Sequence, residues 1–282
     1  MNIVVLGAAG QLGSVMVSRA SRDHQTTAWA RRDLDITAPE ALRTALTAAR
    51  PDAVINCAAF ARVDEAEDAP AEAFAANAWA LRDLARLSRE LDFTLMHFST
   101  DFVFDGAEPA PRRETDTANP RGVYAASKRV GEWFAGEAPR HYVLRVESLF
   151  GGPAAKSSVD VLLDGLLAGR DVRAFQDRTV SPSFVDDVAD ASVALLERGA
   201  AFGFYHCVNT GATTWLELTR ELARLARVSD TGITPVNMAG LSMRVPRPLH
   251  AALANDKLRG AGVPMPTWQD ALARYVSTRS VR

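Results

Sequence analysis

A glycine-rich segment near the N-terminus constrains the fold most strongly. Residues 3–6 form a β-branched apolar run, and residues 7–13 then read GAAGQLG. Glycines between a strand and a helix allow a tight turn, close approach of the backbone to a pyrophosphate and close helix packing. The first N–H groups of such a helix attract phosphate oxygens, although a purely structural turn is the alternative. The residues expected to contact a dinucleotide are Gly7, Gly10, Gln11, Leu12 and Gly13.

Short apolar runs alternate with longer amphipathic ones over the first 150 residues. Runs that are apolar on both faces suit strands of a covered parallel sheet. The predicted strands cover residues 3–6, 25–30, 53–56, 93–98 and 141–146, and the clearest helices cover 39–50 and 70–91. This alternation predicts an α/β fold with a doubly wound parallel sheet and a ligand crevice at the carboxyl ends of its strands.

The pattern changes after residue 150, where a Gly-Gly-Pro turn precedes a proline-rich C-terminal third. We therefore predict a Rossmann-type, NAD(P)-binding domain over residues 1–150, rejoined by part of residues 180–210. A smaller substrate-binding lobe is expected to comprise mainly residues 151–282.

Two arginines follow the second predicted strand. An NAD-binding protein places an acid here for the ribose 2′-hydroxyl, whereas guanidinium groups suit the 2′-phosphate of NADP. Arg31 and Arg32 therefore favour NADPH. NADH is the alternative, because Asp33 or Asp35 is close enough in sequence to reach a hydroxyl. A solvated loop is the structural alternative for both arginines.

A tyrosine and a lysine four residues apart supply the second chemical signal. Tyr124 and Lys128 share one face of a predicted helix. Lowering a tyrosine pKa from about 10 to about 7 requires about 4 kcal/mol. Two unit charges about 4 Å apart supply a similar amount at an effective dielectric constant of about 20. One lysine therefore suffices to make Tyr124 a usable acid, although such pairs also occur on ordinary exposed helix faces.

A hydroxyl at the end of the fourth predicted strand is the third signal. Thr100 lies within FSTDFVFDG, residues 98–106, where it would enter the ligand crevice. There it would hydrogen-bond a substrate oxygen or orient Tyr124. A strand-end cap explains Thr100 taken alone, but the order of the three signals on one predicted sheet favours a catalytic site.

Composition argues against several other classes of protein. Thirty-two Lys and Arg against thirty-four Asp and Glu give a net charge of −2, which argues against a nucleic-acid-binding protein. Apolar stretches are too short for a membrane span, and the first basic residue, Arg19, is too distant for a signal peptide. Cys57 and Cys207 suit a reducing, cytoplasmic compartment. No ligand spacing predicts a metal site.

These motifs resemble the dTDP-4-dehydrorhamnose reductase family of the extended short-chain dehydrogenases/reductases. The resemblance covers nearly the whole chain. It implies that NAD(P)H would donate a hydride to the C4 ketone of a nucleotide-diphosphate 6-deoxy-4-keto hexose. The matching segments are GAAGQLG at 7–13, LDIT at 34–37, PDAVINCAAFARVDEAE at 51–67, FSTDFVFDG at 98–106, YAASK at 124–128, RPLHAALANDKL and WQDAL.

The resemblance also implies roles for single residues. Tyr124 would protonate the developing alkoxide, Lys128 would lower the Tyr124 pKa and hold the nicotinamide ribose, and Thr100 would hydrogen-bond the C4 oxygen. Asn77 would either support Lys128 or bond a neighbouring backbone. The other implied positions are Ala58, Ala59 and Phe60 at the cofactor, and Asp101, Phe102 and Val103 at the substrate.

Two segments depart from the family pattern and leave the sugar open. Residues 145–151 read RVESLFG where the family often has Arg-Thr-Ser-Trp-Val-Tyr-Gly, so Ser148 replaces a tryptophan near the sugar. Residues 177–183 read DRTVSPS, where the family favours a glycine and ends in Pro-Thr.

Related activities on the same fold are the competing interpretations. Phe102 stands where sugar-nucleotide dehydratases carry a second acid, which disfavours elimination. An epimerase would retain tightly bound NAD, and a non-catalytic NADP-binding regulatory subunit would not need Tyr124 or Lys128. The expected partner is a nucleotide-sugar substrate, with a homodimer as an option. The interfacial metal of some family members is not transferred, because its glutamates have no match.

Overall fold

The computed structural model describes residues 1–153, 157–238, 241 and 243–279. The strands are β1 Asn2–Leu6, β2 Gln25–Trp29, β3 Ala53–Asn56, β4 Thr94–Thr100, β5 His141–Val146, β6 Leu149–Phe150, β7 Val172–Phe175, β8 Thr179–Val180, β9 Ser183–Phe184, β10 Gly203–His206, β11 Thr213–Thr214 and β12 Ile233–Val236. The helices are α1 Gln11–Ala20, α2 Pro39–Ala49, α3 Pro70–Phe74, α4 Ala80–Leu91, α5 Val123–Gly136, α6 Ser158–Leu167, α7 Val185–Arg198, α8 Trp215–Ala226, α9 Asp256–Gly260 and α10 Trp268–Arg279.

The largest sheet within the described ranges has six strands in the order β2-β1-β3-β4-β5-β10. All its neighbouring strands run parallel. From β1 the chain first adds β2 on one side and then β3 on the other, so the strand order reverses between β1 and β3. A ligand crevice forms at the carboxyl ends of strands at such a reversal. The predicted doubly wound parallel sheet is confirmed.

Both faces of this sheet are covered, as the continuous apolar strands predict. Ile3 and Val5 of β1 pack into one hydrophobic cluster together with residues of α1 and α7. Val4 and Leu6 pack into the opposite cluster with residues of α2 and α4. Side chains alternate along a strand, and β1 therefore anchors the two helical layers that flank the crevice.

The helix predicted over residues 70–91 is interrupted. Between α3 and α4 the backbone forms a π-helical turn over Ala75–Trp79. Apolar spacing predicts the helical face, but it does not register the extra residue that widens one turn. Such turns occur frequently at functional sites, and this one contains Asn77.

A further hydrophobic cluster, separate from the two on the faces of the sheet, lies mainly in the C-terminal half and includes residues of α6, α8 and α10. The chain also returns to the large sheet, because β10 pairs with β5 and α7 contributes Val185 and Val188 to the cluster of α1. Across the described residues, no helix combines the length and apolarity needed to cross a membrane.

Candidate active site

The glycine-rich loop lies between β1 and α1 and is closely packed. Gly7 has φ +73°, and a Cβ there would lie 2.6 Å from the Ala58 nitrogen. A Cβ at Gly13 would clash with the Gly7 carbonyl oxygen. No side chain caps the start of α1 at Gly10, so its N-terminus remains open to an anion. These features fit a dinucleotide pyrophosphate.

Two other residues of this loop serve packing as well. Gln11 Nε2 donates a hydrogen bond of 2.9 Å to the Gly151 carbonyl, which ties the loop to the segment after β6. Leu12 is buried in the cluster beneath the sheet. The side chains of Gln11 and Leu12 therefore hold the loop in place. If these two residues contact the cofactor, they do so through their backbone atoms.

The predicted phosphate-binding arginines follow β2, next to the glycine loop. The Ala8 N–H donates to the Trp29 carbonyl at 3.1 Å, which joins the two segments. The Arg31 and Arg32 side chains are each 88% exposed, and their ion pairs, 3.7 Å to Asp35 and 3.6 Å to Asp33, are longer than hydrogen bonds. Both guanidinium groups can therefore turn to a phosphate.

The two neighbouring acids already accept local hydrogen bonds. Asp33 accepts from the Ala30 N–H at 2.9 Å. Asp35 accepts from the N–H and hydroxyl of Thr37, and these bonds, the backbone one first, lower the Asp35 pKa. Because these carboxylates are engaged, the geometry favours a phosphate over a ribose hydroxyl as ligand of this turn.

Asn77 holds the loop that follows β3. Its Oδ1 accepts from the Phe60 N–H at 2.8 Å, and its Nδ2 donates to the Phe60 carbonyl and to Ser127 Oγ, both at 3.0 Å. Of the two roles weighed for Asn77, the structure shows the backbone-bonded one. Ala58, Ala59 and Phe60 lie in this loop at the carboxyl end of β3, and Ala59 is exposed.

Lys128 is buried beneath the crevice on α5, with 2% of its surface exposed. Its Nζ lies 2.6 Å from the Phe98 carbonyl and 3.2 Å from His97 Nε2. Burial lowers the pKa of Lys128 to about 8, although Glu132 partly opposes the change.

Tyr124 lies one helical turn earlier, partly buried beside Thr100. Burial, followed by the Asp101 carboxylate, raises the Tyr124 pKa to about 12, while a hydrogen bond with Thr100 opposes the change. The phenol is therefore protonated at neutral pH and able to donate its proton. In the cofactor-free protein the Lys128 ammonium or amine contacts the Phe98 carbonyl and His97, and its action on the Tyr124 pKa stays a prediction.

Thr100 and Asp101 meet Tyr124 at the end of β4. Thr100 Oγ1 donates to Asp101 Oδ1 at 2.9 Å and accepts from the Phe102 N–H at 3.2 Å. The Phe102 and Tyr124 rings make an edge contact, with centroids 5.7 Å apart. The Val103 side chain is instead fully buried with Phe104, Val208 and Leu253. Its expected contact with substrate therefore does not fit, because no surface of Val103 reaches the crevice.

A second buried acid, Glu147, lies near Asp101. It accepts from the Ser148 hydroxyl at 2.6 Å and from the Ser181 N–H. Burial, and then the Asp101 carboxylate, raise the Glu147 pKa, whereas Arg178 opposes this. Asp101 Oδ2 is buried and has no hydrogen-bond partner among the described residues. Burial raises the Asp101 pKa to about 6.

A buried ion pair supports the site from behind. Arg145 of β5 contacts both carboxylate oxygens of Glu132 on α5, at 2.7 and 2.9 Å. Arg129 adds a third contact to Glu132 at 2.7 Å. The pair fixes α5, and with it Tyr124 and Lys128, against the sheet. Among the described residues, no group of three His, Cys, Asp or Glu is placed to hold a metal ion.

The RmlD substrate binding domain matches residues 1–281 of this chain. The chain belongs to the RmlD substrate binding domain family. It is 35% identical to the probable dTDP-4,6-dihydroxy-2-methyloxan-3-one 4-ketoreductase of Streptomyces antibioticus, over 96% of this chain and 93% of the relative. It is 36% identical to dTDP-4-dehydrorhamnose reductase of Mycobacterium tuberculosis, over 96% and 91%. The crystal structure of dTDP-4-dehydrorhamnose reductase from Bacillus anthracis in complex with NADP has a TM-score of 0.92, 27% identity and 98% coverage of each chain.

Membership of the RmlD family confirms the resemblance predicted from the motifs. Two features of the site were not predicted. The contact of Lys128 with His97 crosses 31 residues of sequence, and no local pattern records it. The sequence does mark Glu147, since it is a charged residue at the end of a buried strand. Its proximity to Asp101 could be recognised only from the three-dimensional structure.

Proposed function

We propose that this chain is an NADPH-dependent reductase of the C4 ketone of a nucleotide-diphosphate 6-deoxy-4-keto hexose. The observation that carries the proposal is the placement of Tyr124 on α5 against Phe102 and Thr100, at the carboxyl edge of a Rossmann sheet. The full-length relatives named as 4-ketoreductases and as dTDP-4-dehydrorhamnose reductases support the substrate class and a dTDP carrier.

The residues present fit NADPH. The open N-terminus of α1 would receive the pyrophosphate, and Arg31 and Arg32 would receive the 2′-phosphate. The related B. anthracis structure is a complex with NADP. When bound, NADPH supplies the hydride that reaches C4.

Side chains of the protein then supply the proton and orient the ketone. On substrate binding the single Thr100 O–H would turn from Asp101 Oδ1 to donate to the C4 oxygen, which holds that oxygen near Tyr124. The Tyr124 hydroxyl gives its proton to the developing alkoxide, which leaves a phenolate. A positive charge on Lys128 stabilises that phenolate.

The test compares Tyr124→Phe with Tyr205→Phe, which removes a phenol bonded to the Ala201 carbonyl outside the crevice. We expect Tyr124→Phe to lower kcat by about 10²- to 10⁴-fold while NADPH binding stays near wild type. Tyr205→Phe should retain turnover. Full activity of Tyr124→Phe would refute the acid role, and release of stoichiometric NAD from the denatured wild-type protein would indicate an epimerase instead.

We further propose that residues 151–282 provide most of the substrate lobe, since the hydrophobic cluster of α6, α8 and α10 lies there.

Two copies are proposed to associate through Trp79 and Trp133, which are 44% and 58% exposed. Trp133→Glu should then yield a monomer in analytical ultracentrifugation. The free thiols Cys57 and Cys207 support a cytoplasmic location.

A further inference from the structure

A chain of hydrogen bonds runs beneath the crevice from Asn56 through His97 to Lys128. Asn56 Nδ2 lies 3.2 Å from His97 Nδ1, and His97 Nε2 lies 3.2 Å from Lys128 Nζ. Asn56 and His97 are fully buried, and Lys128 is 2% exposed. Each group must therefore satisfy its hydrogen bonds from within the protein.

The orientation of Asn56 fixes the tautomer of His97. Asn56 Oδ1 accepts from the Ala58 N–H at 3.1 Å, and a backbone N–H can only donate. The amide nitrogen of Asn56 therefore faces His97 and donates to Nδ1. Since Nδ1 must accept, the ring proton of His97 lies on Nε2, and the imidazolium form is excluded.

The position of that proton constrains Lys128 in turn. The His97 Nε2–H points at Nζ, and Nζ already donates to the Phe98 carbonyl at 2.6 Å. An ammonium has three donors and no acceptor, so it would oppose one donor with another. An uncharged amine offers a lone pair to the His97 proton and still donates to Phe98.

The charges around Lys128 do not override this arrangement. Glu132, on the same helix, favours the ammonium but is neutralised by contacts with Arg145 and Arg129. Cys57, after β3, also favours the ammonium when charged. Burial raises the Cys57 pKa and keeps the thiol uncharged. Burial also lowers the pKa of Lys128, to about 8.

We propose that Asn56 and His97 are positioning residues that favour the uncharged amine of Lys128 over the ammonium in the cofactor-free protein. When Lys128 takes a proton from solvent and becomes an ammonium, the Nε2–H group of His97 loses its hydrogen-bond acceptor. The consequence for catalysis rests on the proposed function. The protonation state itself does not, because it is measured without substrate or turnover.

Nuclear magnetic resonance tests this directly. The chain has three lysines, Lys128, Lys156 and Lys257, so ¹⁵N labelling of lysine gives a spectrum that a Lys128→Met variant assigns. We expect the Lys128 Nζ signal to titrate below the other two. The ¹⁵N shifts of His97, assigned with His97→Gln, should show a protonated Nε2 and an unprotonated Nδ1. A Lys128 that titrates with the other lysines, or a proton on Nδ1, would overturn the proposal.

Asn56→Asp supplies the causal variant. A carboxylate accepts from both the Ala58 N–H and His97 Nδ1, which moves the ring proton and leaves Nε2 free to accept from an ammonium. We expect the Lys128 titration, and the alkaline limb of the kcat/KM profile, to rise by about one pH unit or more. An unchanged titration in folded Asn56→Asp would refute the proposal. If this variant does not fold, the wild-type spectra still test the proposal. If the wild-type spectra are as expected but the protein reduces no 4-keto sugar, the proposed function is refuted and this proposal is not.

Discussion

Replacing Arg31 by alanine should change the preference between NADPH and NADH. The side chain is 88% exposed, and its ion pair with Asp35 spans 3.7 Å. A surface pair of this kind contributes at most about 1 kcal/mol, so the variant should fold with nearly wild-type stability. The same side chain, facing a 2′-phosphate, would form a charge-assisted hydrogen bond.

The structure allows the magnitude to be estimated. A hydrogen bond to a charged group contributes about 1.5–3 kcal/mol, and every 1.4 kcal/mol is about tenfold in affinity. We therefore expect Arg31→Ala to raise the KM for NADPH about 10- to 100-fold. NADH has no 2′-phosphate, so its KM should stay within about twofold. Arg32→Ala should act in the same direction, because its exposure and ion-pair distance are similar.

The assay is the initial rate of cofactor oxidation over a range of NADPH and NADH concentrations. Arg86→Ala is the matched control, since Arg86 is 62% exposed and loosely paired with Asp83 at 3.9 Å. It should leave both KM values unchanged. Equal changes in the two KM values for Arg31→Ala, or no change in either, would refute the assignment of this turn to a phosphate.

Three further substitutions test other parts of the account. Gly13→Ala should abolish NADPH binding measured by calorimetry, because its Cβ meets the Gly7 carbonyl oxygen, whereas Gly260→Ala, whose Cβ has no neighbour within 4 Å, should bind NADPH normally; equal binding by the two variants would contradict the packing argument. Arg145→Met should lower the free energy of unfolding in urea by about 3–5 kcal/mol because it strands a buried carboxylate, whereas the exposed Arg224→Met should leave that free energy nearly unchanged. The raised Glu147 pKa means that the folded state binds more protons than the unfolded state. The stability of wild type relative to Glu147→Gln should therefore fall, by up to about 1.4 kcal/mol per pH unit, as pH rises above about 5; a pH-independent difference in urea midpoints would contradict the burial of that charge.

Much of the fold can be predicted from local sequence patterns. The apolar runs of β1, β3 and β5 are buried strands, and the glycine segment joins β1 to α1 as predicted. Each of these signals depends on neighbours within about one turn or strand. The interruption at Ala75–Trp79 depends instead on packing against α5, where Gly131 makes close contact with the Asn77 carbonyl.

The chemistry of the site was predicted less completely. The identities of Tyr124, Lys128 and Thr100 follow from motifs, but their protonation states depend on burial and on partners distant in sequence. Lys128 is expected to act on Tyr124, and the structure adds two partners that no motif predicts, His97 and Phe98. The pairing of Asp101 with Glu147 joins residues from the ends of two neighbouring strands, and only the register of β4 with β5 brings those ends together.

The most direct test of the proposed function is the transfer of deuterium from NADPH that carries deuterium at both C4 positions of the nicotinamide to a dTDP-linked 6-deoxy-4-keto hexose. The account predicts oxidation of NADPH and a product with one deuterium at C4 of the sugar, detected by mass spectrometry and NMR. The Tyr124→Phe variant should give neither. Failure of the wild-type protein to oxidise NADPH with any nucleotide-linked 4-keto sugar, or a product without deuterium at C4, would contradict the account.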